Sequence, residues 1–335
     1  MKTKAVVINS IGNPDVLELQ DVEIGEPQEG EVRIRQSIIG VNFADIYQRR
    51  GSHGPYGATV FPSVIGGEAA GYIDSVGPGV SGYQIGQRVA CLYPGAYQLI
   101  RNVPQESLIP LPDAVSLEIA GSSLVRGLTA EYLLHRLTTV KPGDIVLVHA
   151  AAGGMGLILS QWAHSIGALV IGTVGSPEKI NLAAANGCDH VINYRETDFA
   201  SQVMEITNGR GVDIIYDAVG KDVFFDSLKC VKPMGFVISY GTASGDVEDF
   251  NLQLLHSKSI VVARPTLRTF ISAPGDLQRG AAAFFEAIKN NWIHPTVRQL
   301  YPFEHVRKAH KDLEDGLTTG SVGLVCQSNW IPPAI

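Results

Sequence analysis

The sequence is short of cysteine, of charge and of long apolar runs, and each shortage excludes a class of protein. Its four cysteines, at positions 91, 188, 230 and 326, lie far apart without a C-x-x-C pair that would begin a zinc site or a redox motif. We expect them to be reduced thiols in the core. No apolar run approaches the roughly 18 residues of a membrane span, and the first residues lack the apolar segment of a signal peptide. These absences predict a cytoplasmic protein that does not enter a membrane.

Charged residues make up 18% of the 335 residues, and 26 Lys and Arg against 33 Asp and Glu leave a formal net charge of −7. An acidic chain repels polyphosphate at long range, so we do not expect nucleic acid as a partner. Hydrophobic residues account for 45% of the chain, and its length corresponds to about two domains of roughly 150 residues. The 36 glycines and 18 prolines indicate many turns. Together these values predict a turn-rich enzyme.

The pattern of apolar and turn-forming residues changes twice along the chain. The first third reads as short strands broken by Gly, Pro and Asn, which predicts an antiparallel, barrel-like domain with strands at 5–8, 31–35, 37–41, 70–76 and 88–92. From about residue 124, apolar runs alternate with helical patterns, which predicts a doubly wound parallel sheet with strands at 145–149, 169–174, 190–192, 212–219, 236–240 and 260–263. After residue 264 we expect helices near 276–290 and 305–313 and a last strand at 322–326 that rejoins the first domain.

A glycine-rich loop, Ala150 to Gly156, follows the first of the parallel strands and opens an amphipathic helix. In this position Gly153 lets the backbone approach a pyrophosphate, Gly156 lets the helix pack closely on the strand, and free N–H groups at the helix start attract the anion. Ala151 stands where the commonest pattern has its first glycine. No Gly-Lys-Ser/Thr follows, which excludes a P-loop. The loop therefore predicts a dinucleotide site.

The end of the next strand bears on the choice of nucleotide. NAD-binding proteins usually place an acid there for the ribose 2′-hydroxyl, but Gly172 to Ser176 contains none. A carboxylate would repel a 2′-phosphate, so its absence favours NADPH. Lys179 is close by and offers a point charge to the phosphate; the alternative is a solvated lysine in the first turn of a helix.

Several further motifs, spread over nearly the whole chain, carry a family resemblance. They are Gly12-Asn13-Pro14-Asp15-Val16-Leu17, Gly40-Val41-Asn42-Phe43-Ala44-Asp45, Gly66-Gly67-Glu68-Ala69-Ala70-Gly71, Gly127-Leu128-Thr129-Ala130, Val191-Ile192-Asn193-Tyr194-Arg195 and Tyr216-Asp217-Ala218-Val219-Gly220. With the loop at 150–156, they resemble the medium-chain dehydrogenase/reductase superfamily, and within it the zinc-free NADPH:quinone oxidoreductases related to zeta-crystallin. The resemblance implies an α/β fold with a discontinuous GroES-like β-barrel catalytic domain, residues 1–124 and 265–335. It also implies an inserted Rossmann domain with a doubly wound parallel sheet, residues 125–264, and an active site in the cleft between the two.

The resemblance also bears on metal binding. Zinc-dependent relatives carry a cysteine within the stretch matching 42–45 and Gly-His-Glu where this chain has Gly66-Gly67-Glu68. Catalytic zinc takes three protein ligands and an open position, and only Glu68 and Asp45 stand near the expected places. We therefore predict no metal site. Without a Lewis acid to polarise an alcohol, an electron-poor acceptor such as a quinone or an α,β-unsaturated carbonyl is favoured.

The resemblance assigns site residues position by position. It implies that Asn42, Tyr47 and Arg264 line the substrate and nicotinamide cleft as catalytic residues, the amide and phenol donating to a carbonyl oxygen as it gains charge. The alternatives are an aromatic packing role for Tyr47 and a structural ion pair for Arg264. The implied cofactor contacts are Phe43, Asp45, Thr129, Gly153, Gly154, Met155, Gly156, Leu157, Gly175, Ser176, Lys179, Tyr194, Val219, Tyr240, Gly241, Arg264 and Thr266.

Two features depart from the family pattern. Gly316 stands where a close bacterial relative has an arginine, so a cofactor contact is lost if that arginine makes one. The tail Ser328 to Ile335 extends past the family's usual end and is assigned no role.

The first functional hypothesis is an NADPH-dependent quinone oxidoreductase. The alternative is an NADPH-dependent enone or 2-alkenal reductase, and a third, from another class, is an NADPH-binding structural or RNA-associated protein. The partners implied are a small-molecule quinone or enone and a second copy of the chain. The resemblance implies a homodimer formed through the nucleotide domains, where the strands at 236–240 and 260–263 would lie at a sheet edge.

Overall fold

The structure is a computed structural model, and it describes residues 1–51 and 59–326. The tail Ser328 to Ile335 lies outside the described residues. The chain divides into two compact units: the first comprises Met1–Leu128, Pro274–Glu286 and the chain from Pro295 onward, and the second comprises Thr129–Ala273 and Ala287–His294. The domain boundaries expected after residues 124 and 264 stay a prediction.

The strands of the described ranges are β1 (Lys2–Ile8), β2 (Glu18–Glu23), β3 (Glu31–Val41), β4 (Ser63–Val64), β5 (Glu68–Val76), β6 (Arg88–Leu92), β7 (Ile100–Pro104), β8 (Leu108–Pro110), β9 (Ile145–Val148), β10 (Leu169–Val174), β11 (His190–Asn193), β12 (Val212–Asp217), β13 (Val231–Ser239), β14 (Val261–Ala263), β15 (Val297–Pro302) and β16 (Ser321–Val325). The α-helices are α1 (Phe43–Arg50), α2 (Leu117–Tyr132), α3 (Gly154–Ile166), α4 (Ile180–Ala184), α5 (Phe199–Ile206), α6 (Phe224–Cys230), α7 (Leu267–Phe270), α8 (Asp276–Lys289) and α9 (Val306–Glu314). Within the described residues, none of these helices is long and apolar enough to span a membrane.

The first unit is built on two β-sheets. A three-stranded sheet has the order β2-β1-β4, and a seven-stranded sheet has the order β15-β16-β3-β5-β6-β8 with β7 also paired to β3. All the pairings in these sheets are antiparallel except β15 with β16. The last strand returns to the start of the chain, since Val322 on β16 lies opposite Val41 on β3. Both side chains belong to one buried core with Ile39, Tyr97 and Phe303.

The sequence predicted two strands, 31–35 and 37–41, where the structure has the single strand β3. The strand continues because Gln36 is buried and its amide Nε2 donates to the Ala96 carbonyl at 2.8 Å and also contacts the Gln98 carbonyl. The register of β3 against β5 shifts there instead of breaking. The sequence missed β2, β4, β7, β8 and β15. Of these, β2 and β15 alternate exposed and half-buried residues and present no apolar run.

The second unit is a parallel sheet with helices in its connections. Its six strands lie in the order β11-β10-β9-β12-β13-β14, and every pairing is parallel. The strands match the predicted positions, although β13 begins at Val231 rather than 236. Ser176 is the N-cap of a short 3-10 turn that begins at Pro177 and continues into α4.

The strand order of the second unit reverses between β9 and β12. Ligands of doubly wound sheets bind outside the carboxyl ends of the strands at this reversal. The glycine-rich loop follows β9, and Asp217 is the last residue of β12. The topology therefore places both segments at the carboxyl ends of two neighbouring strands, on the same side of the sheet.

Candidate active site

The loop after β9 turns tightly into α3. Ala150 takes a positive φ of 53°, and its carbonyl accepts from the Gly153 N–H at 2.9 Å. Gly153 is the N-cap of α3, and no side chain caps the helix start. A Cβ on Gly156 would lie 2.3 Å from the Ala150 oxygen and 2.7 Å from the Ala151 Cα. The helix therefore begins against bare backbone with open N–H groups, which is the arrangement that a pyrophosphate requires.

Ala151 replaces the first glycine of the common pattern without loss of packing. Its side chain is fully buried, and it lies beside Gly172 on β10. A Cβ on Gly172 would be 2.7 Å from the Ala151 methyl and 2.6 Å from the Cys188 sulfur. The methyl group thus occupies space that Gly172 leaves open.

A cationic cluster follows β10 and β11. A Cβ on Gly175 would lie 3.5 Å from the Tyr194 hydroxyl and 3.6 Å from the Arg195 Nε. Partial burial lowers the pKa of Lys179; the neighbouring Glu178 opposes this shift, and the charge of Arg195 adds to it. The positive charge of Arg195 therefore acts on Lys179 at the end of β10, and the neighbouring Glu178 carboxylate opposes it.

Ser176, also an expected cofactor contact, donates a hydrogen bond to the exposed carboxylate of Glu178. Arg195 was not among the residues expected to bind the cofactor. The available signal was its position directly after Tyr194, within one of the motifs that carry the family resemblance.

Several expected residues gather around Asp217 at the end of β12. The Asp217 Oδ1 accepts from the Val219 N–H at 2.7 Å and from the Gly220 N–H at 2.9 Å, and its backbone carbonyl accepts from the Tyr240 N–H at 2.9 Å. Burial raises the pKa of Asp217 to about 6, against these N–H groups and the positive charge of Arg264. Asp217 is thus the centre of this group, although sequence reasoning passed over it.

The segment after β14 carries Arg264 and Thr266. The Arg264 guanidinium donates to the Ser239 carbonyl at 2.8 Å, and Thr266 is the N-cap of α7. At the end of α7, the Phe270 ring stacks on Tyr132 with centroids 4.1 Å apart and an interplanar angle of 8°. The stacked pair anchors this segment to the second unit, to which the half-buried Thr129 also belongs.

In the first unit, α1 presents the remaining expected residues. Phe43 and Tyr47 are one turn apart and half-buried, with ring centroids 6.0 Å apart. Asp45 is fully buried, and its Oδ2 accepts from the Asn42 N–H at 2.8 Å and from the Tyr97 hydroxyl at 3.1 Å. The helix therefore separates an accessible aromatic pair from a carboxylate enclosed in the fold.

Glu68, at the start of β5, lies beside Asn42. Its Oε1 accepts from the Asn42 Nδ2 at 2.7 Å, its Oε2 accepts from the Val125 N–H at 2.6 Å, and Arg126 lies 3.6 Å away. Residues 1–51 and 59–326 contain no group of three or more His, Cys, Asp or Glu placed to hold a metal ion. The Glu68 carboxylate, which stands near the expected place of a zinc ligand, is hydrogen-bonded within the first unit.

Comparisons with known proteins agree with this architecture. A family model described as "Alcohol dehydrogenase GroES-like domain" matches residues 28–140, and one described as "Zinc-binding dehydrogenase" matches residues 154–286. The chain therefore belongs to the medium-chain dehydrogenase/reductase superfamily, in its zinc-free quinone oxidoreductase family. The predicted fold class, a GroES-like domain with a Rossmann-type parallel-sheet domain, is confirmed.

Individual relatives are similar over nearly the full length. A 2-haloacrylate reductase of a Burkholderia species is 43% identical over 335 residues, covering 97% of this chain and 99% of its own. Quinone oxidoreductase 1 of Escherichia coli is 39% identical, covering 94% and 97%. Among solved structures, Escherichia coli quinone oxidoreductase complexed with NADPH superposes with a TM-score of 0.90 at 39% identity, covering 96% of this chain and 99% of that one.

Proposed function

We propose that this protein is an NADPH-dependent quinone oxidoreductase that works without zinc. The observation that carries the proposal is the end of β10, where Arg195 lies beside Gly175, where its charge acts on Lys179, and where the segment 172–176 carries no acid. This arrangement suits a 2′-phosphate and disfavours NADH. Relatives about 40% identical over almost the whole chain are named quinone oxidoreductases, and one was solved with NADPH.

The cofactor contacts proposed with it are those implied by the family. The α3 N-terminus would hold the pyrophosphate through Gly153, Gly154, Met155, Gly156 and Leu157. Gly175, Ser176, Lys179 and Tyr194 would hold the ribose phosphate, and Phe43, Thr129, Val219, Tyr240, Gly241, Arg264 and Thr266 complete the site. The expected contact from Asp45 is not carried over, because its side chain is fully buried and bonded within the fold. When bound, NADPH supplies a hydride from its nicotinamide ring.

The catalytic residues proposed are Asn42, Tyr47 and Arg264. The amide of Asn42 and the phenol of Tyr47 would donate hydrogen bonds to the acceptor oxygen as negative charge develops on it, and the charge of Arg264 would add to this stabilisation. The residues hold and stabilise the acceptor, so the rate comes from positioning and preorganised electrostatics.

Binding measurements test the nucleotide assignment. We expect Lys179→Ala and Arg195→Ala each to weaken NADPH binding by about tenfold or more, because each removes a charged hydrogen bond to the phosphate, and to leave NADH binding unchanged. Dissociation constants come from the fluorescence of the reduced nucleotide. Lys229→Ala, which removes an exposed charge elsewhere in the second unit, is the control. An unchanged preference for NADPH in both variants would exclude the assignment.

A specific comparison favours a second candidate, an NADPH-dependent enone or 2-alkenal reductase. The 43% identical relative is named for a 2-haloacrylate, which has a carbon–carbon double bond activated by a carboxylate. Steady-state turnover with 9,10-phenanthrenequinone, 1,4-benzoquinone and small alkenals separates the two. We expect the quinones to react faster, and enone turnover far above every quinone would reverse the ranking.

We also propose a homodimer formed through the nucleotide domains. Of the two strands expected at a sheet edge, only β14 is an edge strand, because β13 pairs with both β12 and β14. Val261 on β14 is 44% exposed, and Leu252 and Leu254 nearby in sequence are 71% and 46% exposed. Apolar edges of this kind need a cover. Light scattering tests the proposal, since a mass near 36 kDa would contradict it. A cytoplasmic location is proposed with it because all four thiols are free and buried.

A further inference from the structure

We propose that Glu68 is a positioning residue whose buried carboxylate fixes the orientation of the Asn42 carboxamide. The proposal rests on the function given above, in which Asn42 donates a hydrogen bond to the acceptor oxygen. On sequence alone, Glu68 is merely an acid close to the position of a metal ligand in zinc-dependent relatives. The contacts around it give it a different role.

The bond between the two side chains determines which end of the amide faces Glu68. The Asn42 Nδ2 lies 2.7 Å from the Glu68 Oε1, and both residues are buried. An ionised carboxylate only accepts hydrogen bonds. A flipped amide would place the Asn42 Oδ1 against the Glu68 oxygen at hydrogen-bond distance, where two acceptors repel each other. As long as Glu68 is ionised, the Asn42 Nδ2 therefore faces it.

The carboxylate is itself held from α2. The Val125 N–H donates to the Glu68 Oε2 at 2.6 Å, and the Arg126 guanidinium lies 3.6 Å from Oε1. Arg126 also donates to the carbonyl of Val41, the residue before Asn42, at 2.9 Å. Burial raises the pKa of Glu68, whereas Arg126 and these hydrogen bonds favour the ionised form. The same arginine thus steadies both the carboxylate and the backbone that carries Asn42.

The fold also reserves space for this carboxylate. Gly40 precedes Asn42 by two residues on β3, and a Cβ there would lie 2.2 Å from the Glu68 Oε1. Any side chain at position 40 would displace a group that is held by three partners. The Gly40-Val41-Asn42 motif therefore provides the amide and the room for the carboxylate that orients it.

One of the two N–H groups of the Asn42 Nδ2 is thus bonded to Glu68, and the direction of this bond determines the direction of the second N–H group. The second N–H of Nδ2 lies in the same amide plane, so it points in a direction set by the bond to Glu68. This is the donor that remains for an acceptor oxygen. A preorganised donor costs no reorganisation when charge develops, and a freely rotating one forfeits part of that gain.

The test compares Glu68→Gln and Glu68→Asp with the wild type and with Asn42→Ala. Glutamine can turn its own amide to suit either orientation of Asn42, and aspartate keeps the charge beside Arg126 but cannot reach the amide. Asp74→Asn, which removes a half-buried carboxylate from the same strand, is the control. The readouts are kcat and KM for 9,10-phenanthrenequinone, the NADPH dissociation constant and the NMR signals of the Asn42 side-chain amide.

We expect kcat to fall about tenfold or more in both Glu68 variants, with the NADPH dissociation constant within about twofold of wild type and the Asn42 amide signals shifted. In the Asn42→Ala background, neither Glu68 substitution should lower kcat further. An equal loss in that background, or unshifted amide signals, would overturn the proposal. If the wild type reduces no quinone and no enone with NADPH, the proposed function fails instead, and the amide signals alone decide the role of Glu68.

Discussion

Replacing Asp45 by asparagine should change the stability of the protein relative to wild type in a pH-dependent way. The difference in unfolding free energy should favour the variant more at neutral pH than in acid. Asp45 is fully buried, and burial raises its pKa from the ordinary value of 3.8 to about 7, although the Asn42 N–H opposes the shift; the charge of Glu68 adds to it. A carboxyl group with a higher pKa in the folded than in the unfolded chain binds its proton more tightly when folded. Its ionisation therefore costs stability as the pH rises.

The magnitude follows from the two pKa values. One pKa unit corresponds to 1.36 kcal/mol, so the rise from 3.8 to about 7 corresponds to about 4 kcal/mol once Asp45 is ionised in both states. The cost is absent below about pH 4, grows between about pH 4 and 7 and is constant above that. Asparagine retains an acceptor for the Asn42 N–H and the Tyr97 hydroxyl but does not ionise.

Urea unfolding followed by far-UV circular dichroism, at a series of pH values across this window, measures the effect. The quantity of interest is the difference in unfolding free energy between Asp45→Asn and wild type. Its absolute value includes the cost of burying the new amide where Oδ1 has no partner in the described part of the chain, so the pH dependence is diagnostic. We expect the difference to shift in favour of the variant by up to about 4 kcal/mol as the pH rises.

Asp213 offers a control of opposite sign. Burial acts to raise its pKa, but hydrogen bonds from the Ile145 N–H, Lys232 and Arg210 together lower it. A carboxylate whose pKa is lower in the folded than in the unfolded chain stabilises the fold at pH values above the unfolded-state pKa, and this stabilisation is lost in acid. Asp213→Asn should therefore be less stable than wild type at neutral pH, and the difference should be smaller near pH 3. A difference between Asp45→Asn and wild type that does not vary with pH would refute the reasoning.

Three further outcomes follow from the site. Gly156→Ala should weaken NADPH binding by about tenfold or more, because its Cβ would lie 2.3 Å from the Ala150 oxygen; Gly25→Ala, where nothing lies within 4 Å, should bind normally, and equal binding by both would contradict the close packing. Phe270→Ala should lower the stability of the second unit by about 1 to 3 kcal/mol through loss of the stack on Tyr132, measurable as a lower Tm; an unchanged Tm would argue against the anchor. Exhaustive dialysis against a chelator should leave quinone turnover unchanged, and activity restored only by added zinc would refute a metal-free site.

The sequence was most informative where structure is locally determined. The glycine-rich loop predicted that a helix opens directly after β9, as α3 does, because the strand, turn and helix lie within one short segment. β2 and β15 were missed because strands with little buried surface leave no apolar pattern.

The candidate site was predictable as a set of residue types but not as a set of contacts. The bond from Asn42 to Glu68 joins residues 26 apart, and the bond from Val125 joins residues 57 apart. Arg195 and Asp217 stand within motifs that carry the family resemblance. The bonds of Asp217 to the Val219 and Gly220 N–H groups are local, but nothing local shows that Tyr240 donates to its carbonyl or that the charge of Arg195 acts on Lys179. Such roles depend on how β10, β11 and β12 are arranged in the sheet.

The packing of Ala151 against Gly172 has a consequence for how this chain can change. A glycine at position 151 would leave a methyl-sized void, whereas a larger residue at position 172 would meet both the Ala151 methyl and the Cys188 sulfur. Restoring the common glycine pattern while refilling the space therefore requires a smaller residue at position 188 as well. The three positions share one packing space, so the effect of a substitution at any one on stability depends on the residues at the other two.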